Sequence, residues 1–271
     1  MDISWLNHND IINIIETASQ LILQIYHGND FLIETKNDES PLTIADKKAN
    51  EHIIQNLKNY YPNIPIISEE SINDEWETRK NYTFAWLIDP LDGTKEFIKK
   101  NGEFTVNIGL IFNGKPVAGF VNIPVKGLTY WAISGQGAWV KDISGKSNEI
   151  KELRIAYENN IRKIYRVVAS RSHLTNETQK FIDQLGEVEL VNVGSSIKIL
   201  WVAENKADIY PRMNGSSEWD TCAAHAILNE VGGKIYQYEN GHLFDELIYN
   251  KKSLLNPYFV CSCPVVFFKS K

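Results

Sequence analysis

Between residues 10 and 27, apolar side chains recur at Ile11, Ile14, Ile15, Ala18, Leu21, Ile22 and Ile25. That spacing puts them on one face of a helix, and Gly28 follows as a stop. Residues 43–60 repeat the pattern, with Thr43 at the start. The connection between the two, ETKNDESP, is polar throughout. The period then shortens. Ile64–Ser68, Phe84–Asp89, Phe104–Phe112 and Val117–Ile123 are rich in branched and aromatic residues and read as strands, with a hairpin signal at Asn113-Gly114. Gly127–Val140 continues as sheet. Residues 141–151 (KDISGKSNEIK) are polar, so a boundary is expected there between an N-terminal unit, 1–146, and a C-terminal unit, 147–271. In the second unit, strands are expected at Tyr165–Ala169, 187–193 and Ala207–Tyr210. Helices are expected near 174–185, 195–205 and 217–231, the last stopped by Gly232-Gly233. Strands and helices are mixed throughout, which predicts an α/β or α+β fold in two layered halves.

Composition narrows the function. The 271 residues carry 28 basic and 34 acidic side chains, a net charge of −6. No run of Lys or Arg supplies the basic footprint that nucleic-acid backbones require. With 43% hydrophobic and 23% charged residues, the balance is that of an ordinary globular protein. No apolar stretch approaches the roughly 18 residues of a membrane span. The opening MDISWLNHND lacks the basic and apolar regions of a secretory signal, so a cytoplasmic protein is expected. Cys222, Cys261 and Cys263 are odd in number and lack zinc-site spacing, so they read as reduced structural thiols.

Acidic residues cluster where apolar runs end. Ile66-Ile67-Ser68 leads into Glu69-Glu70. Phe84–Ile88 leads into Asp89-Pro90-Leu91-Asp92-Gly93-Thr94, and Ser217-Glu218-Trp219 into Asp220. Each has a purely structural reading: a solvated loop charge, an Asx turn at Asp89, or a capping box between Ser217 and Asp220. The second cluster goes further. Pro90 fixes its backbone and limits where two carboxylates can point. Gly93 admits a ligand close to the main chain, and Thr94 opens a helix whose free N–H groups favour an anion. Carboxylates beside an anion site make electrostatic sense when cations lie between them, and Mg²⁺ prefers a few carboxylates plus phosphate oxygens. An EF-hand is excluded, because position twelve counted from Asp89 is Lys100. An aspartyl-phosphate mechanism is disfavoured, because its acids stand two residues apart rather than three.

These motifs resemble the lithium-sensitive, magnesium-dependent phosphatases of the inositol monophosphatase superfamily. Asp46, in Pro41-Leu-Thr-Ile-Ala-Asp46, matches that family's upstream acid, and Trp219-Asp220 its downstream one. Asp89–Ile98, Asn101–Ile111, Tyr130-WAISGQGA, Ala169-SRSH, Gly194-SSIK and Ala207-DIYPR are similar to the 3′(2′),5′-bisphosphate nucleotidase branch, which serves sulfur assimilation. The resemblance covers nearly the whole chain and implies a layered α-β-α-β-α sandwich.

Carried over residue by residue, the resemblance makes Glu69, Asp89, Asp92, Asp220 and the Leu91 carbonyl ligands of two or three magnesium ions. Asp46 and Thr94 orient and deprotonate the attacking water, and Glu70 supports a weaker ion site. The Gly93 and Thr94 amides hold the scissile phosphate. The substrate also lies against Glu69, Leu91, Asp92 and Asp220. His173, Ser195, Lys198 and Arg212 resemble positions that hold the second phosphate or the base; a packed or exposed histidine and solvated surface charges are the competing readings. Cys222-Ala-Ala-His225 departs from the family's usual Ala-Ala-Gly and bears on helix packing or the edge of the site.

The expected reaction is removal of the 3′-phosphate from 3′-phosphoadenosine 5′-phosphate, with the phosphosulfate analogue as a second substrate. An inositol or fructose-bisphosphate phosphatase is the nearest rival, and an inactive metal- or nucleotide-binding regulator the rival of another class. Family members occur as monomers and homodimers. Bacterial relatives are described on the inner face of the cell membrane, yet no basic amphipathic helix here requires it.

Overall fold

The computed structural model describes residues 2–28, 33–35, 41–71, 73–153, 164–170 and 175–263. Helix α1 (His8–Tyr26) is capped by Asn7, whose side chain accepts from the Asn9 N–H. Its apolar stripe, Ile11, Ile14, Ile15, Ala18 and Ile22, is buried. A short antiparallel pair, β1 (Ile33–Thr35) and β2 (Pro41–Thr43), leads into α2 (Ile44–Tyr60). The remainder of the polar link, 36–40, lies outside the described residues.

Seven strands form the first sheet in chain order: β3 (Ile66–Ser68), β4 (Phe84–Asp92), β5 (Thr105–Phe112), β6 (Lys115–Ile123), β7 (Leu128–Ile133), β8 (Ala138–Lys141) and β9 (Ser147–Glu149). Only β3–β4 is parallel. Asn113 and Gly114, with φ of 47° and 76°, make the expected two-residue turn between β5 and β6. Two short helices punctuate this half, α3 (Trp76–Arg79) and α4 (Thr94–Ile98). The linker-like stretch 141–151 contains β9, which pairs with β8. The boundary expected after residue 146 therefore falls inside this sheet; SNE is fully polar because the strand is exposed on the sheet's edge.

The second sheet takes its strands out of order, β11-β10-β12-β15-β13-β14. They are β10 (Tyr165–Ala169), β11 (Val188–Asn192), β12 (Ile209–Arg212), β13 (Lys234–Glu239), β14 (His242–Glu246) and β15 (Phe259–Ser262). The helices of this half are α5 (Asn176–Gln184), α6 (Ile197–Ala203) and α7 (Glu218–Glu230).

Burial sets the layer order. Trp86, Ile88, Val106, Ile108, Leu110 and Phe120 of the first sheet share one core with α1 and α2. On the opposite face, Val121, Tyr130 and Ala132 pack with Ala223 and Ile227 of α7, Leu200 of α6, and Phe259 and Cys261 of the second sheet. Phe181 and Ile182 of α5 cover the far side, against Val167, Ile209 and Val260. The result is the α-β-α-β-α stack. Helix α7 lies close on the first sheet because paired glycines, Gly109 and Gly119, leave room for its backbone. A Cβ at Gly119 would sit 1.9 Å from the Ala223 carbonyl oxygen, and one at Gly109 would meet the Cys222 sulfur at 2.6 Å.

Gly119→Ala should therefore destabilise the protein by about 1–3 kcal/mol in urea unfolding, because the obstacle is main chain. Gly215→Ala, where nothing lies within 4 Å of the added carbon, should change stability by less than about 0.5 kcal/mol. Equal effects at the two sites would contradict the packing argument.

Candidate active site

In a regular strand, residues three apart point to opposite faces. Strand β4 runs past the expected end at Asp89 to Asp92, and its register with β5 shifts on the way. Asp89 pairs with Asn107 and Asp92 with Thr105. Pro90 and Leu91 thus face Val106 alone, which is a β-bulge. Proline has no N–H to give the ladder, and the Leu91 N–H turns to Asp89 Oδ1 at 3.1 Å. The extra residue brings Asp89 and Asp92 onto one face, the face that carries α7. Gly93 then turns the chain at φ 96°, where a Cβ would meet the Glu103 carbonyl at 3.1 Å, and α4 begins at Thr94.

Three other segments converge there. Glu69 follows β3 and donates its N–H to the Ile88 carbonyl at 3.1 Å, which sets it beside Asp89. Asp220 stands in the first turn of α7, where its Oδ2 accepts the Ser217 N–H at 3.1 Å. The Ser196 N–H donates to Asp92 Oδ2 at 2.5 Å, and the Ser196 hydroxyl bonds Thr105 and Asn107, both at 2.9 Å. Behind Thr94, Asp46 Oδ2 caps α2 through the Thr43 N–H at 2.8 Å and hydroxyl at 2.5 Å. Asp46 Oδ1 remains for the Thr94 hydroxyl at 3.3 Å.

A cleft of about 240 Å³ is lined by Glu69, Asp89, Leu91, Asp92, Gly93, Thr94, Ser195, Lys198, Arg212 and Asp220, all expected there from the sequence. Glu70 sits in the turn after β3 but does not line it. His173 lies outside the described residues. Sequence reasoning missed Lys95, Glu96, Ser170 and Gly194 as lining residues, and Ser196 as the group that holds Asp92. Ser196 stands directly before α6, and Ser195 takes φ 51°. A larger groove of about 980 Å³, at the opposite ends of β3 and β4, is lined by Trp5, Tyr60, Tyr61, Tyr82 and Phe84. It gathers no opposed charges, so the smaller cleft is the candidate for chemistry.

The cleft's electrostatics are strained. Burial, then Glu69, Asp92 and Asp220, push the Asp89 carboxyl well above its usual range. Burial and Asp92 raise Asp220 to about 7. Asp92 is raised by burial, opposed by Lys198, Arg212 and the Ser196 N–H. Burial and the neighbouring Arg212 lower Lys198 to about 8, against the pull of Asp92, Glu96 and Asp220. Burial also works against the charge on Arg212, but Tyr210 and Asp220 hold it more firmly protonated than usual. Among the described residues, no three acid, histidine or cysteine side chains enclose a cation as they stand. The donor chemistry still fits a hard divalent cation: carboxylate oxygens and the Leu91 carbonyl, with repulsion that a cation relieves.

His225 and Cys222 belong to the packing. His225 is buried, with Nδ1 2.8 Å from the Tyr249 hydroxyl and Nε2 3.0 Å from Glu246. Cys222 fills the space over Gly109, and all three cysteines are free and buried. Among the described residues, no helix is long and apolar enough to cross a membrane.

The model of the Inositol monophosphatase family matches residues 9–262. The chain belongs to that family. Within it, the 3′(2′),5′-bisphosphate nucleotidase CysQ of Salmonella typhimurium is 40% identical over 251 residues, covering 92% of this chain and 96% of the relative. The protein of that name from Escherichia coli K12 is 38% identical, covering 93% and 97%. The crystal structure of CysQ from Bacteroides thetaiotaomicron, a bacterial member of the inositol monophosphatase family, superposes with a TM-score of 0.78 at 42% identity, covering 94% of this chain and 97% of that one. The Thermotoga maritima IMPase, at 21% identity and TM-score 0.73, shares the fold.

Asp89 and Asp220 hold protons more readily in the fold than in the unfolded chain. The contribution of Asp220 to the stability of the metal-free protein should therefore fall as pH rises from about 4 through about 7, and that of Asp89 should fall in the same direction. A divalent cation binds the ionised carboxylates, so the stability it adds should grow with pH over the same interval. Thermal unfolding in EDTA and in MgCl₂ across this range measures both slopes. A metal-induced change in Tm that ignores pH would count against these acids as ligands.

Proposed function

We propose that this chain is a magnesium-dependent phosphomonoesterase that converts 3′-phosphoadenosine 5′-phosphate to AMP and phosphate in sulfur metabolism, working in the cytoplasm. The observation that carries the reading is one cleft that gathers Glu69, Asp89, Asp92 and Asp220 together with Lys198 and Arg212. Nucleotidase relatives at about 40% identity across the chain support the substrate. The family's phosphatases are metal-dependent; magnesium, in two or three ions per site, is the reading's own addition.

Glu69, Asp89, Asp92, Asp220 and the Leu91 carbonyl would hold the ions, with Glu70 supporting a weaker one. Bound there, magnesium would neutralise the scissile phosphate and lower the pKa of a water beside it. The chain's own groups do the rest. Thr94 Oγ accepts a proton from the attacking water as its hydroxyl hydrogen moves toward Asp46 Oδ1. Asp46 is oriented for this by Thr43, which bonds Oδ2 while Oδ1 accepts from Thr94. The Gly93 and Thr94 amides orient the phosphate. Lys198, with Ser195 O accepting from its Nζ at 2.6 Å, and Arg212 meet the second phosphate. Their charge is what separates a bisphosphate from an inositol monophosphate or a 3′-monophosphate.

Release of phosphate from 3′-phosphoadenosine 5′-phosphate, inositol 1-phosphate and fructose 1,6-bisphosphate, with and without magnesium, tests the substrate; a large preference for the inositol ester would overturn it. Asp92→Asn should fold and lose most turnover, and Asp46→Asn should lose rate while retaining magnesium affinity. Arg212→Ala should lower kcat/KM for the bisphosphate about 10–100-fold, as expected for one charge-assisted contact. It should change kcat/KM for 3′-AMP much less. Equal losses on the two substrates would remove Arg212 from recognition of the second phosphate.

A further inference from the structure

Asn50 lies one helical turn after Asp46, on the same face of α2. It is buried, and its amide is fully engaged. Oδ1 accepts the Ser68 hydroxyl at 2.7 Å, while Nδ2 donates to the Glu70 carbonyl at 3.2 Å and to the Ser71 hydroxyl at 3.1 Å. All three partners flank or belong to the Glu69-Glu70 turn. That turn leaves β3, the edge strand of the first sheet, with β4 on one side only. On the open side, the Asn73 side chain takes the place of a strand: its Oδ1 accepts the Ser68 N–H, and its Nδ2 donates to the Ser68 carbonyl, each at 2.9 Å. The chain here carries the Glu69 carboxylate into the cleft beside Asp89. Repulsion between carboxylates acts to swing such a turn outward, and Asn73 secures the strand at Ser68, before the turn begins.

We infer that Asn50 is a positioning residue for the metal centre: by clamping Ser68, Glu70 and Ser71 to α2, it sets the Glu69-Glu70 turn in register with Asp46 and Thr94. The inference rests on the metal-dependent reading above. One rigid helix thus fixes both the acid that takes the proton and the turn that supplies ligands from a different strand. Groups that orient ligands in this way typically change metal affinity by about 10–100-fold when removed.

The test is binding of Mn²⁺ alone, followed by electron paramagnetic resonance on substrate-free protein. Asn50→Ala should bind Mn²⁺ about tenfold or more weakly than wild type. In assays its rate should recover as metal is raised, with KM for the nucleotide unchanged. Ser68→Ala, which deletes one of the three bonds, should weaken Mn²⁺ by less. The double variant should be no worse than Asn50→Ala, because the two changes remove one network. Wild-type Mn²⁺ affinity in a folded Asn50→Ala, even with a lowered Tm, would show a merely structural role and overturn the inference. Should Asn50→Ala fail to fold, Ser68→Ala decides alone, weakened binding supporting the clamp and unchanged binding refuting it. Wild-type protein that takes up no Mn²⁺ would instead overturn the metal-dependent reading itself.

Discussion

Two aspartates three residues apart on a regular strand face opposite sides of their sheet. Here they share a side because β4 holds one residue more than β5 between its Asp89 and Asp92 pairings. Pro90 makes that extra residue tolerable, since it removes an N–H that the ladder would otherwise leave unpaired. Asp89 supplies the replacement acceptor for Leu91. The rest of the site is built around the face so created. Gly109 and Gly119 let α7 lie close on it, which delivers Asp220. Ser196 crosses from the second half to hold Asp92. The parallel β3–β4 pair sets Glu69 alongside Asp89. Straightening the bulge would send one aspartate to the α1–α2 core, where an unpaired buried carboxylate is costly.

The structural and chemical readings of these acids are the same geometry seen from two oxygens. Asp46 caps α2 with Oδ2 and meets Thr94 with Oδ1. Asp220 accepts the Ser217 N–H at the start of α7 with one oxygen. Asp89 closes an Asx turn with Oδ1. A carboxylate that already serves a backbone N–H has its rotamer chosen before any ligand arrives, which is preorganisation. The further buried acid of α7, Glu218, works only in this structural sense. It accepts from the Asn250 and Lys251 N–H groups and the Lys251 ammonium, and Arg79 bonds the same loop through Asn250 Oδ1 and the Lys251 carbonyl. These contacts fasten the start of the Asp220 helix to the first half of the chain.

What the sequence reveals follows from the range of the forces involved. Helices α1 and α2 are legible because a one-sided apolar stripe is a local signal, and α7 because Gly232-Gly233 marks its stop. Strands β4 to β7 are legible as runs of branched and aromatic residues, and the acids stand out because they directly follow apolar runs. Strand β9 is not legible: SNE buries nothing and pairs only through its backbone. Strands β13 to β15 are short pieces whose order in the sheet, with β15 between β12 and β13, is set by tertiary packing. In the site, Ser196 and Asn50 carry no local mark, since a serine before a helix and an asparagine within one are both commonplace. They act on Asp92, 104 residues away, and on Ser68, 18 residues away. The apolar run of β4 ends before Asp89, and only the pairing with β5 shows that the strand continues as a bulge.

An acidic chain that handles a phosphate-rich anion must find positive charge locally. Lys198 and Arg212 supply part of it, and two of the acids already lean on them: Asp92 is stabilised by Lys198 and Arg212, and Asp220 by Arg212. Each carboxylate that a divalent cation neutralises frees part of that field for the second phosphate. Lys198 gains least from its own surroundings, because burial and Arg212 hold it near 8, so an arriving dianion strengthens its charge rather than merely using it. In the proposed function, metal and substrate thus draw on a single set of charges. The net charge of −6 is compatible with an anionic substrate because it is not the charge the substrate meets.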